Sequence, residues 1–133
     1  MKFDRNKFLK FFNEEYILED EAQILDYFIS TDEFIFSLFL SIYDNLAVIE
    51  LVMNQSSQTI FNIAMKNITK ITCNETSLFF YKGKESEIDL SKPDYTVVVK
   101  PKVSIDWKVD NFYKFLDWKL TFFEVRLEKI NNS

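Results

Sequence analysis

Apolar and polar residues alternate along most of this chain. Between residues 34 and 42 every second residue is Phe, Leu or Ile, and the alternation resumes after a turn at Asp44-Asn45. This period of two predicts strands that bury one face. Because Phe occurs at both parities between residues 34 and 43, we expect both faces of that strand to be covered, which places it centrally in a sheet.

Further strand patterns occur in the second half of the chain. Short ones lie between residues 61 and 81, a longer one runs from 97 to 109 with an interruption at Pro101, and a last one spans 121–129. Pro101 lacks an N–H donor, so we expect its strand to bend there or to lie at an edge. Strands joined by short polar loops pair antiparallel, because parallel pairing needs long crossovers. The pattern therefore predicts a meandering sheet of about six strands.

The N-terminal third carries helical signals instead. Asp4 is predicted to cap a short helix that contains Phe8. Asp20 followed by Gln23 resembles a capping box. Around this pair, apolar residues occur at helical spacing: Leu18, Ala22, Leu25 and Ile29. A strand that begins near Leu25 is the alternative for this second segment. Another short helix is predicted over 112–116, capped by Asp110.

Length and composition agree with one folded unit. The chain has 133 residues, 47% of them apolar, which is enough for one domain over 1–133 with a sizeable core. We therefore expect an α+β fold in which N-terminal helices pack on one face of the antiparallel sheet. A small β-sandwich or an open barrel is the alternative.

The rare residue types exclude most catalytic chemistry. The chain has no His, one Cys (Cys73) and one Gly (Gly83). Without His there is no imidazole base, no Ser–His or Cys–His nucleophile and no imidazole metal ligand. A single Gly excludes glycine-rich phosphate loops, and a single Cys excludes an internal disulfide and a thiolate zinc cluster. We therefore predict that the protein is not an enzyme and uses no cofactor or metal.

The sequence also bears on localisation. Charges interrupt every apolar pair in residues 1–10, so the apolar region of a signal peptide is missing. The stretch 34–53 has the length of a membrane span, but it contains Asp44 and Glu50, whose insertion would cost a few kcal/mol each. We expect a cytoplasmic protein that does not bind membranes, with Cys73 as a reduced thiol whose burial the sequence leaves open.

Charge is distributed unevenly along the chain. The net charge is −5, yet residues 11–65 contain ten carboxylates and no Lys or Arg. Carboxylates this dense repel one another within a Debye length of about 8 Å. One interpretation is a negative surface for a basic partner. The others are that Lys and Arg of the C-terminal half cover this segment, or that it serves solubility only.

The binding surface is predicted to use eight acidic residues between positions 14 and 33. They are Glu14, Glu15, Glu19, Asp20, Glu21, Asp26, Asp32 and Glu33. A chain of this net charge is not expected to bind nucleic acid directly. The predicted partner is a basic protein, and the sequence leaves open whether the protein is a monomer or a dimer.

In size, charge and order of elements the chain resembles the immunity proteins of bacterial toxin–immunity pairs. The resemblance implies a non-catalytic inhibitor that neutralises a basic toxin or effector directed at nucleic acid. Two alternatives belong to other classes. One is a domain that binds a small ligand or lipid in an aromatic-lined cavity, and the other is a structural subunit of a phage or similar assembly.

Overall fold

The computed structural model describes residues 1–12, 14–100, 105–109, 112–116 and 124–129. The chain divides into two compact units, Met1–Ile68 and Thr69–Ser133. Each is described by itself, and the expectation of one domain over 1–133 stays a prediction.

The first unit begins with a short helix, α1 (Arg5–Phe11). Asp4 caps it as predicted, because its Oδ1 accepts hydrogen bonds from the backbone N–H groups of Asn6 (3.0 Å) and Lys7 (3.2 Å). Phe8, on the helix, and Phe12, directly after it, are buried. Both rings lie 5.3 Å from the ring of Tyr27, so aromatic contacts join the helix to the sheet.

Five antiparallel strands follow in the order β1-β2-β3-β4-β5. They are β1 (Glu14–Glu19), β2 (Ile24–Ser30), β3 (Phe34–Ser41), β4 (Leu46–Met53) and β5 (Thr59–Met65). Each strand pairs with its neighbour in the sequence, as expected for short polar connections. The strand that starts at Phe34 is the central one, as predicted. Its two faces are not equally covered, because Ile35, Ser37 and Phe39 on one side are only half-buried.

The alternation of residues gives this sheet two faces of different character. We call the face that contacts α1 the inner face and the opposite one the outer face. Seven inner-face side chains of β2, β3 and β4 have no solvent exposure: Tyr27, Phe36, Leu38, Leu40, Ala47, Ile49 and Leu51. Outer-face side chains of the same strands are mostly half-buried.

The predicted second helix is wrong. The segment 14–30 forms β1 and β2, joined by a turn in which Gln23 has a φ of 53°. Both the backbone N–H and the side-chain Nε2 of Gln23 donate to the carbonyl oxygen of Asp20, at 3.2 and 2.7 Å. The Asp20–Gln23 pair therefore closes a turn instead of capping a helix, and pairing with β3 determines the conformation of the rest.

Six strands of the second unit form a sheet in the order β10-β9-β11-β8-β7-β6. They are β6 (Ile68–Cys73), β7 (Ser77–Lys82), β8 (Tyr95–Lys100), β9 (Ile105–Val109), β10 (Phe112–Leu116) and β11 (Glu124–Lys129). A 3-10 helix, Glu85–Glu87, lies between β7 and β8. β11 is antiparallel to β8 and parallel to β9, so this sheet is not a simple meander.

The fold class is confirmed in its coarse form, since mostly antiparallel sheet dominates the described residues. The finer prediction, of several helices packed on one sheet of about six strands, is wrong. The described residues form one α-helix and eleven strands, which are divided between two sheets. The predicted helix over 112–116 is strand β10, whose Phe112 pairs with Val109 of β9. Its proposed cap, Asp110, and the interruption at Pro101 lie outside the described residues.

Candidate functional site

The predicted carboxylates do not form one patch. Glu19, Asp20 and Glu21 are exposed at the β1–β2 turn. Asp32 and Glu33 are exposed at the β2–β3 turn, which lies at the other end of β2. The seven residues of β2 place these turns roughly 20 Å apart. The remaining three residues lie within the strands, where the alternation separates them by face.

Glu15 points to the inner face, where its carboxylate already accepts hydrogen bonds from other residues of the chain. Its Oε2 accepts hydrogen bonds from Nε of Arg5 (2.9 Å) and from the hydroxyl of Tyr27 (2.6 Å). Its side chain is 11% exposed. Hydrogen bonding to the Arg5 guanidinium holds the pKa of Glu15 below its ordinary value, although its burial acts in the opposite direction. This carboxylate supports the fold and is not available to a partner.

Glu14 and Asp26 lie on the outer face, together with Glu50 from β4. One row of paired residues runs Glu14, Phe28, Ser37, Glu50 and Asn62, from β1 to β5. The adjacent row on this face begins Tyr16, Asp26, Phe39. Six residues of these rows define what we call the acidic–aromatic face: Glu14, Tyr16, Asp26, Phe28, Phe39 and Glu50.

Contacts within the face hold several of its side chains in place. The hydroxyl of Tyr16 donates to Oε2 of Glu14 at 3.0 Å, and its ring packs edge-on against Phe28 at 5.5 Å between centroids. Nδ2 of Asn62 donates to Oε2 of Glu50 at 2.7 Å. Tyr16 nevertheless remains 51% exposed. The face thus presents an ordered aromatic ring and oriented carboxylates to its surroundings.

Asp26 is the unusual carboxylate of this face. The residue is half-buried, and no described residue donates a hydrogen bond to its buried Oδ1. Burial, followed by the negative charge of Glu50, raises the pKa of Asp26 to about 6, while the backbone N–H of Tyr27 acts in the opposite direction. A cation placed beside this group would offset the negative charge of Asp26 and Glu50.

The acidic–aromatic face has no basic residue of its own. Its five strands all lie within the segment 11–65, which contains no Lys or Arg. Glu50 belongs to that segment but not to the eight residues predicted from the sequence. The alternation in β4 does place Glu50 on the parity opposite the buried residues. Its position opposite Ser37, however, follows from the strand register, which the sequence does not specify.

The first unit also has a pocket of about 400 Å³. Its apolar lining comes from Met1, Phe3, Ile17, Leu25 and Ile42, and polar residues including Arg5 contribute the rest. Among the described residues Phe3 is the one aromatic side chain of this lining, which differs from the aromatic-lined cavity of the ligand-binding alternative. The Arg5 guanidinium is already paired with Glu15. We therefore find the acidic–aromatic face the stronger candidate site.

Two other features of the described residues bear on chemistry. They include no group of three or more His, Cys, Asp or Glu side chains arranged to hold a metal ion. They also include no helix long and apolar enough to cross a membrane. Cys73 lies half-buried at the end of β6. In comparisons with known proteins, no family model, no curated protein and no solved structure matches this chain.

Proposed function

We propose that this protein is a non-catalytic binding protein that recognises a basic protein partner through its acidic–aromatic face. The observation that carries the proposal is the convergence of Glu14, Asp26 and Glu50 on one sheet face built from strands without Lys or Arg. A surface of one charge sign attracts a partner of the opposite sign and accelerates association.

The aromatic residues of the face supply the second half of a binding surface. Interfaces derive most of their affinity from a few buried anchors, among which Tyr is enriched. Tyr16 is exposed, Phe28 and Phe39 are half-buried, and all three lie beside carboxylates on the same rows. Apolar contact can therefore contribute affinity where charge alone contributes mainly rate and specificity.

In its specific form, the proposal is an immunity-protein-like inhibitor of a basic toxin or effector in a bacterial cytoplasm. Proteins that act on nucleic acid carry basic surfaces to neutralise phosphates. An acidic face that covers such a surface would block it by occupying the site of the phosphates. No catalytic group is needed for this action, in keeping with a chain that lacks His and has one Cys.

The test uses the purified protein as bait in extracts of its source cells. The face variant carries Glu14→Gln, Asp26→Asn and Glu50→Gln, and the control carries Glu19→Gln, Glu21→Gln and Asp32→Asn at exposed turns. Both remove the same charge by the same chemical changes. We expect the wild type and the control to retain a basic protein that the face variant loses.

Kinetics with the captured protein complete the test. The association rate with the wild type should fall steeply between about 50 mM and about 500 mM salt, because screening removes the electrostatic attraction. Equal retention by all three baits, a rate independent of salt, or failure to retain any basic protein would each count against the proposal.

A further inference from the structure

We infer that the group recognised by the acidic–aromatic face is an arginine side chain, whose guanidinium pairs with Asp26 between the rings of Tyr16 and Phe39. The inference rests on the proposed function and specifies the chemistry of the same surface. It specifies a binding site for one arginine side chain, formed by Tyr16, Asp26 and Phe39, which we call the arginine seat. The proposed function requires only a basic partner.

The strand register places the three residues side by side. Tyr16 of β1 pairs with Asp26 of β2, which pairs with Phe39 of β3, and all three lie on the outer face. Directly opposite residues of antiparallel strands have Cβ atoms about 5 Å apart. The carboxylate therefore stands between two aromatic side chains, one of them 51% exposed.

Asp26 is a half-buried carboxylate in negative surroundings. Among the described residues no group donates a hydrogen bond to its Oδ1, and Glu50 adds further negative charge nearby. An incoming cation would offset this repulsion. A guanidinium carries five N–H donors in a plane and can approach a carboxylate that is partly enclosed by rings.

The inner face shows a related combination that is already occupied. There Glu15 pairs across the strands with Tyr27, accepts a hydrogen bond from its hydroxyl and binds the guanidinium of Arg5. On the outer face Asp26 pairs across the same two strands with Tyr16, whose hydroxyl donates to Glu14 instead, and no Arg or Lys occurs in those strands. Of these two cross-strand pairs, one therefore has a guanidinium from α1 and the other has no cation from its own strands.

Arginine suits the seat better than lysine for physical reasons. The guanidinium is planar, stacks on aromatic faces and is more weakly hydrated than an ammonium group. A lysine would lose more hydration when placed between two rings and can present no bidentate contact to the carboxylate. Cation–π contact with an aromatic ring adds to the attraction at an exposed site.

The test titrates the labelled full-length protein with three peptides of equal length. One alternates glycine with arginine, one alternates glycine with lysine, and one alternates glycine with uncharged citrulline. We expect the arginine peptide to bind about fivefold more tightly than the lysine peptide, and the citrulline peptide not to bind. The largest changes in amide NMR signals should occur at Tyr16, Asp26 and Phe39.

Variants separate this seat from general charge attraction. Asp26→Asn should lower affinity for the arginine peptide about fivefold or more, while Asp32→Asn, the same change at an exposed turn, should leave it unchanged. Tyr16→Leu, which keeps an apolar side chain on the strand, should reduce the preference for arginine over lysine. Amide spectra of each variant verify that it is folded.

The outcomes distinguish the inference from the function on which it rests. Equal binding of the arginine and lysine peptides, or equal effects of Asp26→Asn and Asp32→Asn, would overturn the arginine seat and leave a charge-based binding protein. Signal changes confined to the exposed turns would overturn both the arginine seat and the acidic–aromatic face as the binding surface. If no cationic peptide binds even at low salt, both the seat and the proposed function fail.

Discussion

The two faces of the first sheet treat neighbouring carboxylates in opposite ways. On the inner face, Glu15 has hydrogen bonds from Arg5 and Tyr27. On the outer face, Asp26 lies opposite Tyr16, but no residue in the described part of the chain donates a hydrogen bond to its Oδ1. The difference lies in the supply of cations, because α1 brings a guanidinium to one face while the strands bring none to the other. A carboxylate of this sheet thus stabilises the fold only where the chain provides its counterion.

The pKa values report the same contrast. Hydrogen bonding to Arg5 lowers the pKa of Glu15, so ionisation of Glu15 favours the folded state. Burial raises the pKa of Asp26 to about 6, so ionisation of Asp26 opposes folding. The contribution of Glu15 to folding stability therefore increases as the pH rises, whereas that of Asp26 decreases.

The largest effect is expected from removing the aromatic packing behind the inner face. Phe8 has no solvent exposure and contacts the rings of Phe3 and Tyr27 at 4.8 and 5.3 Å. Phe8→Ala should lower the free energy of unfolding by about 3–5 kcal/mol, measured by chemical denaturation. The control Leu9→Ala, at a neighbouring helix position that is 48% exposed, should cost far less. Similar costs at both positions would contradict the assignment of the inner face.

A smaller effect tests the contrast between adjacent residues. Glu15→Gln removes the charged partner of Arg5 and Tyr27 and should cost about 1–2 kcal/mol at neutral pH. Glu14→Gln on the outer face should cost less than about 0.5 kcal/mol. Since the pKa of Glu15 is lowered by folding, its contribution exists above the unfolded-state pKa and is lost as the pH falls through the folded-state pKa. Denaturation curves that show the same loss for both variants at neutral pH would remove the contrast.

The smallest effect has the opposite sign. Asp26 is surrounded by Glu14 and Tyr16 of β1 and by Glu50 of β4, while β3 contributes the uncharged Ser37 and Phe39. Asp26→Asn should stabilise the protein by about 1 kcal/mol at pH values above about 7, a figure reduced for solvent screening of a half-buried group.

The pH dependence of this third effect follows from the raised pKa. The protonated carboxyl favours folding, and this contribution declines as the pH rises from the unfolded-state pKa through about 6. Wild type and Asp26→Asn should therefore have similar stability near pH 4 and diverge towards pH 7. The exposed Asp32→Asn should show no such divergence. A destabilised Asp26→Asn at neutral pH would mean that Asp26 has a cationic partner within the chain.

The sequence predicts strands well where only one pattern is present. The alternation from Phe34 to Met53 identifies β3 and β4, and Asp4 identifies the start of α1. Prediction from the sequence fails in the segment 18–29, where two patterns overlap. The spacing of Leu18, Ala22 and Leu25 fits one helix as well as it fits two strands joined by a turn. The positive φ of Gln23, which closes that turn, has no signal in the local sequence.

The site is predicted only in part for a related reason. The sequence reveals the acidic segment 11–65 directly. The face of the sheet on which each carboxylate lies, however, depends on where the strands begin and end. Once β1 is known to be a strand, Glu14 and Glu15 must lie on opposite faces. The neighbours of Asp26 depend further on the register with β1 and β3, which distant pairing determines.

The order of strands in the two sheets also affects how each sheet assembles as the chain is synthesised. Each strand of the first sheet after β1 pairs with the one made just before it, so the sheet can be completed once Met65 has emerged. In the second sheet β11 lies between β8 and β9, and the β9–β10 pair joins the sheet only through β11. Until residues 124–129 are made, β8 and β9 each have an unpaired edge, a known route to aggregation. Because of this long-range pairing, we expect the second sheet to form more slowly than the first.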